Sequence, residues 1–152
     1  MANLTVEIAE RQRQQTLRRL HALNPPADAD IAIESFPAYS RGTVLLPLAE
    51  FELSQACFFA LGAPRKAAER VADEAVDAFI RFIKSDGAID AWLADQIILP
   101  LAMAKEPSVI RTSAVTQHLL TNAAVIGYFL PVKIELEAGL NAPSNVSIHP
   151  DQ

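Results

Sequence analysis

From residue 88 onward the hydrophobic period switches repeatedly between that of a helix and that of a strand. This order limits the folds open to the chain more than any other feature of it. DAWLADQIILPLAMA reads as a helix that Asp90 can cap. SVIRT reads as a short strand. TSAVTQHLLTNAAVIGYFLP reads as a long, mostly apolar helix, capped by Ser113 and closed by Pro131. PVKIELE and NVSIH read as a final pair of strands joined by AGLNAPS. The order is helix–strand–helix–strand–strand. A helix on a sheet face is normally entered from another strand, and residues 88–152 offer none. They read as an incomplete βαβαββ-type unit. Pro100 lies well inside the first of these helices. It has no N–H for the carbonyl of Gln96 and its ring crowds that carbonyl, so a kink is expected at Asp95 and Gln96.

Residues 1–87 read as a separate α/β unit, and the whole as α+β. A helix is expected over about residues 4–22, with Ile8, Leu17 and Leu20 as sparse apolar anchors and Asn3 as a candidate cap. NPPADAD breaks it, because prolines cannot continue a helix. DIAIESF reads as a strand, and TVLLPLAEFE as a second in which Pro47 argues for an edge or a bulge. QACFFALGAP reads as a third, ending at Gly62. RKAAERVADEAVDAFIRFIKSDG is the clearest helix of the chain, with Ala68, Ala72, Ala75, Phe79 and Phe82 along one face and Asp86-Gly87 at its end.

With 18 acids against 13 bases, the net charge is −5. Such a chain is poorly suited to non-specific grip on nucleic acid, which needs clustered Lys and Arg; a site for a single RNA end is not excluded. The one local basic excess, RQRQQTLRR, places Arg11, Arg13, Arg18 and Arg19 after Glu7 and Glu10 and reads as a solvated helix face. Cys57 is the only cysteine, so no disulfide forms within the chain, as suits a reducing cytoplasm. The stretch MANLTVEIAERQRQQ is too polar for a signal peptide. Apolar runs such as AAVIGYFLPV fall short of the roughly 18 residues of a membrane span. A soluble, cytoplasmic protein is expected.

The sequence lacks a phosphate-binding GxxxxGK[ST], a GxGxxG, a GxSxG elbow and an HExxH, and one Cys with three distant His makes no zinc spacing. The candidates that remain are Trp92, Asp95, Gln96 and His118. Asp95 and Gln96 follow Trp92 by three and four residues, which puts them on one helix face. An indole beside hydrogen-bonding groups can serve as a platform for a flat base. His118 reads as about a turn and a half inside its helix, with Asn122 one turn further on. The positive end of the helix dipole favours a neutral imidazole, the form able to act as a nucleophile. By pattern alone a core histidine, a core-filling Trp92 and a salt-bridging Asp95 are the commoner readings, and Asn122 could simply bond a neighbouring backbone.

Taken in order, LADQIILPLAMA and RTSAVTQHLLTNAAVIGYFLPVKIELE resemble the C-terminal part of the RNA 3′-terminal phosphate cyclase family. The family pattern is similar to LADQLLLPLALA followed by HLLTNxxVxxxFLPV. NLTVEIAERQ resembles the opening of the family's inserted small domain, and ALGAPRKAAERVADEAV its later helix. The resemblance implies an insert-like domain over residues 1–87 and the closing segment of the catalytic domain over 88–152, in the RNA 3′-phosphate cyclase and enolpyruvyl transferase-like fold. It implies ATP-dependent conversion of an RNA 3′-phosphate to a 2′,3′-cyclic phosphate through a histidine–AMP intermediate, with Mg²⁺. His118 is then the nucleophile, Trp92 the adenine platform where relatives often have tyrosine, and Asp95 and Gln96 the nucleotide-contacting pair. Family chains begin with several structural repeats whose acidic, Arg and Gln residues hold metal, phosphates and the RNA end. Those repeats are missing here, and the family's glycine-rich turn is altered to YSRGT. The implied partner is an RNA 3′-end, with the rest of the enzyme supplied by a separate N-terminal cyclase polypeptide or by a longer gene of which this is a piece; the alternative is a non-catalytic cyclase-like binding or structural module. An unpaired sheet edge further predicts self-association, and no turnover is expected from this chain alone.

Overall fold

The computed structural model describes residues 1–23, 26 and 29–150. The chain divides into two compact units, one of residues 1–49 and 57–81, the other of residues 50–56 and 82–152.

In the first unit, helix α1 (Val6–His21) buries a stripe of Ala9, Gln12, Thr16 and Leu20. Its spacing is the helical one, but its middle is polar. The hydroxyl of Thr16 is satisfied by the carbonyl of Gln12 at 2.9 Å, and Gln12 Oε1 accepts from Thr43 Oγ1 at 3.0 Å. The residue before the helix is Thr5, without a side-chain cap. Asn3 does not cap it either. It sits at φ 50°, and its side-chain amide instead donates to the carbonyls of Ala38, at 2.6 Å, and Ser40. The expected break at NPPADAD falls partly on Asn24, Pro25, Ala27 and Asp28, which lie outside the described residues; the helix itself ends at His21, capped by Ala22.

DIAIESF does not form a strand. Among the described residues its backbone bonds are to Met1: Met1 N donates to the Glu34 carbonyl and Phe36 N to the Met1 carbonyl. The expected second strand is divided at Leu46-Pro47 into β1 (Val44–Leu45) and β2 (Leu48–Glu50), since proline has no N–H for a ladder. The third is likewise divided, into β3 (Gln55–Cys57) and β4 (Ala60–Leu61). β1 pairs antiparallel with β4, Val44 opposite Leu61.

Helix α2 (Ala68–Lys84) starts three residues later than Arg65, which itself sits at φ 65°. The face read from the sequence is buried at Ala68, Ala72, Ala75 and Phe82, together with Val71 and Val76. The left-handed residue after the helix is Asp86, at φ 57°, rather than Gly87.

RQRQQTLRR is not simply solvated. Arg11 makes a two-pronged contact with Glu69 at 2.8 Å, Gln15 donates to Asp73 at 2.6 Å, and Arg19 bridges Asp73 and Asp77. Residues 11, 15 and 19 are one turn apart, as are 69, 73 and 77. The two rows rise together, so α1 and α2 lie side by side, running in the same direction.

The second unit is a sheet with two helices on one face. α3 (Ala91–Ala102) is capped by Asp90, whose carboxylate accepts from Trp92 N and Leu93 N at 2.9 Å. It runs through Pro100 and ends two residues later. β5 (Ser108–Thr112) leads to α4 (Gln117–Phe129), β6 (Val132–Leu136) and β7 (Ser144–Pro150). The sheet order is β5-β7-β6, all antiparallel, with Ile110 and Leu136 opposite Val146 and with Ile134 opposite Ile148. Those side chains pack with Ala94, Ile98, Ala102, Leu119 and Ile126 of the helices to form the core. Ahead of α3 the described residues offer only an isolated parallel bridge, Ile89 with Thr112. Both outer strands, β5 and β6, are edges.

Candidate functional site

The site is built where the first turn of α4 meets the first two turns of α3. Trp92 lies in the first turn of α3 and is 63% exposed, high for a large indole. Gln96, one turn on, is exposed and Asp95 half-buried. Their spacing is three and four residues, so all three share one side of α3.

His118 is the second residue of α4, not a turn and a half inside as its spacing from Ser113 suggests. The N-cap is Thr116, whose Oγ1 accepts from Leu119 N at 2.9 Å. Ser113 does not cap because the helix starts only at Gln117, four residues further on. The Ser113 N–H donates to the Ile89 carbonyl, and Val115 exchanges hydrogen bonds with Asn141 and Ala142. His118 is exposed, and among the described residues its imidazole has no hydrogen-bond partner.

Asp95 is drawn into the contact between the helices. Thr116 Oγ1 donates to Asp95 Oδ1 at 2.6 Å, and Asn122 Nδ2 donates to the Asp95 carbonyl at 3.2 Å. The structure therefore brings Asp95 against the turn that carries His118. It leaves Trp92, Gln96 and His118 open to solvent. An exposed aromatic face, an exposed amide, a carboxylate and an exposed imidazole at a helix N-terminus form an arrangement that can meet a flat base and an anion. The first turn of α4 adds the partial positive charge of unsatisfied backbone N–H groups.

Thr116 is the residue that the sequence reading passed over. Its signal was present, a threonine three residues before Leu119, but Thr112 and Ser113 offer the same chemistry nearby. For Mg²⁺ the fit is poor. Among the described residues no group of three or more His, Cys, Asp or Glu is placed to hold a metal ion. No helix there is long and apolar enough to cross a membrane.

Residues 2–136 match the family described as RNA 3′-terminal phosphate cyclase. The RNA 3′-terminal phosphate cyclase of Methylococcus capsulatus is 36% identical over 152 residues, covering 97% of this chain and 40% of that protein. The protein of the same name from Pseudomonas fluorescens is 38% identical over 135 residues, covering 88% of this chain and 38% of the relative. That from Pyrococcus furiosus is 30% identical over 146 residues, covering 96% and 42%. The chain thus spans about 40% of the length of the curated relatives it matches.

Proposed function

The chain belongs to the RNA 3′-terminal phosphate cyclase family, and from that premise we propose that it carries the nucleotide-accepting part of an ATP-dependent cyclase. In this reading His118 attacks the α-phosphorus of ATP. The His–P bond forms as pyrophosphate leaves. AMP then passes from His118 to an RNA 3′-phosphate, and the vicinal 2′-hydroxyl displaces it, closing the 2′,3′-cyclic phosphate. Trp92 would stack on adenine and Gln96 would hydrogen-bond the nucleotide, with Asp95 beside them.

One observation carries the reading. The family's LADQ and HLLTN positions fold into adjacent helices with the indole and the imidazole exposed and Asp95 tied to the turn holding His118. Among the described residues no carboxylate cluster is placed to hold Mg²⁺, and no step of this reading is assigned to the ion. An exposed, unpaired Cys57 fits the reducing compartment in which such an enzyme would work.

Cyclisation of RNA is assigned to an assembly larger than these residues. Trp92 and Leu99 of α3, its C-cap Met103, and Tyr128 and Phe129 of α4 are all exposed, and large exposed apolar side chains are the kind of surface that a partner covers. This supports an N-terminal cyclase polypeptide, or a second copy, as the cover. The competing reading, a cyclase-like module without turnover, draws on the structural duties of Asp95 and Asn122 between the helices.

Titration with ATP separates the two. Trp92 is the only tryptophan, so its fluorescence reports directly on adenine stacking. Saturable quenching by ATP, weakened at least about tenfold by Gln96→Ala, is expected. A flat titration of the folded chain would leave the module without a nucleotide and favour the competing reading.

A further inference from the structure

We propose that Thr116 and Asn122 are positioning residues for His118, acting through Asp95; the proposal rests on His118 being the nucleophile. The hydroxyl of Thr116 has one proton, and the geometry assigns it. Thr116 Oγ1 accepts from Leu119 N at 2.9 Å, so the lone pair faces the helix and the proton goes to Asp95 Oδ1 at 2.6 Å. A short bond to a carboxylate is of the stronger, charge-assisted kind. Asn122 Nδ2 holds the main-chain carbonyl of the same Asp95 at 3.2 Å.

One residue of α3 is therefore gripped at its side chain and at its backbone by residues two before and four after His118. Leu119 and Ile126, buried against Ala94 and Ile98, seat α4 on α3. The two polar anchors, on either side of His118, add the register of the turn that carries it. The imidazole has no hydrogen-bond partner among the described residues, so its place is inherited from the backbone beneath it. Displacement of a reacting atom by about 1 Å can cost on the order of a hundredfold in rate. The grip also joins the two halves of the site, since Asp95 shares its face of α3 with Trp92. Thr121 supplies an internal control. It lies on the same helix, but its hydroxyl is spent on the Gln117 carbonyl at 2.9 Å and the residue is exposed.

The test is carried out on the chain with three readouts: the His118 imidazole resonance, hydrogen exchange of the Leu119 amide, and the rate of AMP addition from Mg²⁺-ATP. Thr116→Val is expected to move the His118 resonance and to raise Leu119 exchange about tenfold, the loss of an N-cap. It is also expected to slow AMP addition at saturating ATP by about tenfold or more, with the half-saturating ATP concentration within about twofold. Thr116→Ser restores all three values, and Thr121→Val leaves them alone. Asn122→Ala, which keeps the cap, moves the His118 resonance without changing Leu119 exchange and decides the matter should Thr116→Val not fold. A Leu119 change with an unmoved His118 in both variants would reduce Thr116 to a cap and overturn the proposal. So would a loss confined to ATP affinity. If the unaltered chain takes no AMP, the functional reading fails by itself, and the resonance and exchange data still decide whether these residues position His118.

Discussion

A Cβ built on Gly87 would lie 2.6 Å from both Cα and N of Ser113. Those are backbone atoms on a segment that is itself held, since Ser113 N donates to the Ile89 carbonyl at 2.9 Å. Glycine is needed here for space, while the left-handed conformation falls on Asp86. Gly87→Ala should destabilise the second unit by about 1–3 kcal/mol, read by urea unfolding followed through Trp92 fluorescence; an unchanged midpoint would show that the Ser113 segment can move aside. At this scale the sequence told which side chains to watch but less about what holds them. Trp92, Asp95, Gln96 and His118 follow from spacing and resemblance. The cap of α4 does not, because Thr112, Ser113 and Thr116 all precede the helix. The choice is made by Asn141 and Ala142, whose backbones hold the N–H and carbonyl of Val115 and so keep that residue out of the helix.

Helices were more legible than strands. α1 and α3 fall close to where periodicity puts them, because a helix closes its hydrogen bonds within its own sequence. Ile31 and Ile33 show strand alternation, yet among the described residues DIAIESF finds only Met1 as a backbone partner, and a strand without a ladder is not one. The row of Arg11, Gln15 and Arg19 looked solvated for the same reason, its partners lying more than fifty residues away. That row gives the first unit a pH dependence. The Arg11 side chain holds the Glu69 carboxyl below its ordinary range, and Gln15, then Arg19, do the same for Asp73. A carboxyl depressed in the folded state contributes stability that is present above its unfolded pKa, about 4, and lost as pH falls through the folded value. The pairing of α1 and α2 should therefore weaken on acidification below about pH 4. Arg11→Gln should flatten that acid limb in thermal melts by circular dichroism. An equally steep limb in the variant would assign the acid loss to other carboxyls.

Across the whole molecule, the second unit has a covered sheet face, two edge strands, of which β5 is met only at its end by Ile89, and exposed apolar side chains on its helices. The missing strand ahead of α3 was visible in the element order, and the structure reduces it to the single bridge of Ile89 with Thr112. The family was legible as well, since LADQ, HLLTN and FLPV occur in order at the expected spacing. The exposure of Tyr128 and Phe129 was not, because an apolar run such as AAVIGYFLP does not tell which of its side chains face out. The edges of β5 and β6 together with that surface predict self-association of the isolated chain. Light scattering should give a mass that rises with concentration, and a strictly monomeric species at high concentration would contradict this.

The account depends most on His118 as the group that takes AMP. The most direct measurement is incubation with Mg²⁺ and α-labelled ATP, followed by intact mass and peptide mapping, with His118→Ala alongside. One AMP, carried by the peptide containing His118 and absent from the variant, is the predicted result. A folded chain that takes no label, or takes it on another residue, would contradict the assignment and leave HLLTN as structure.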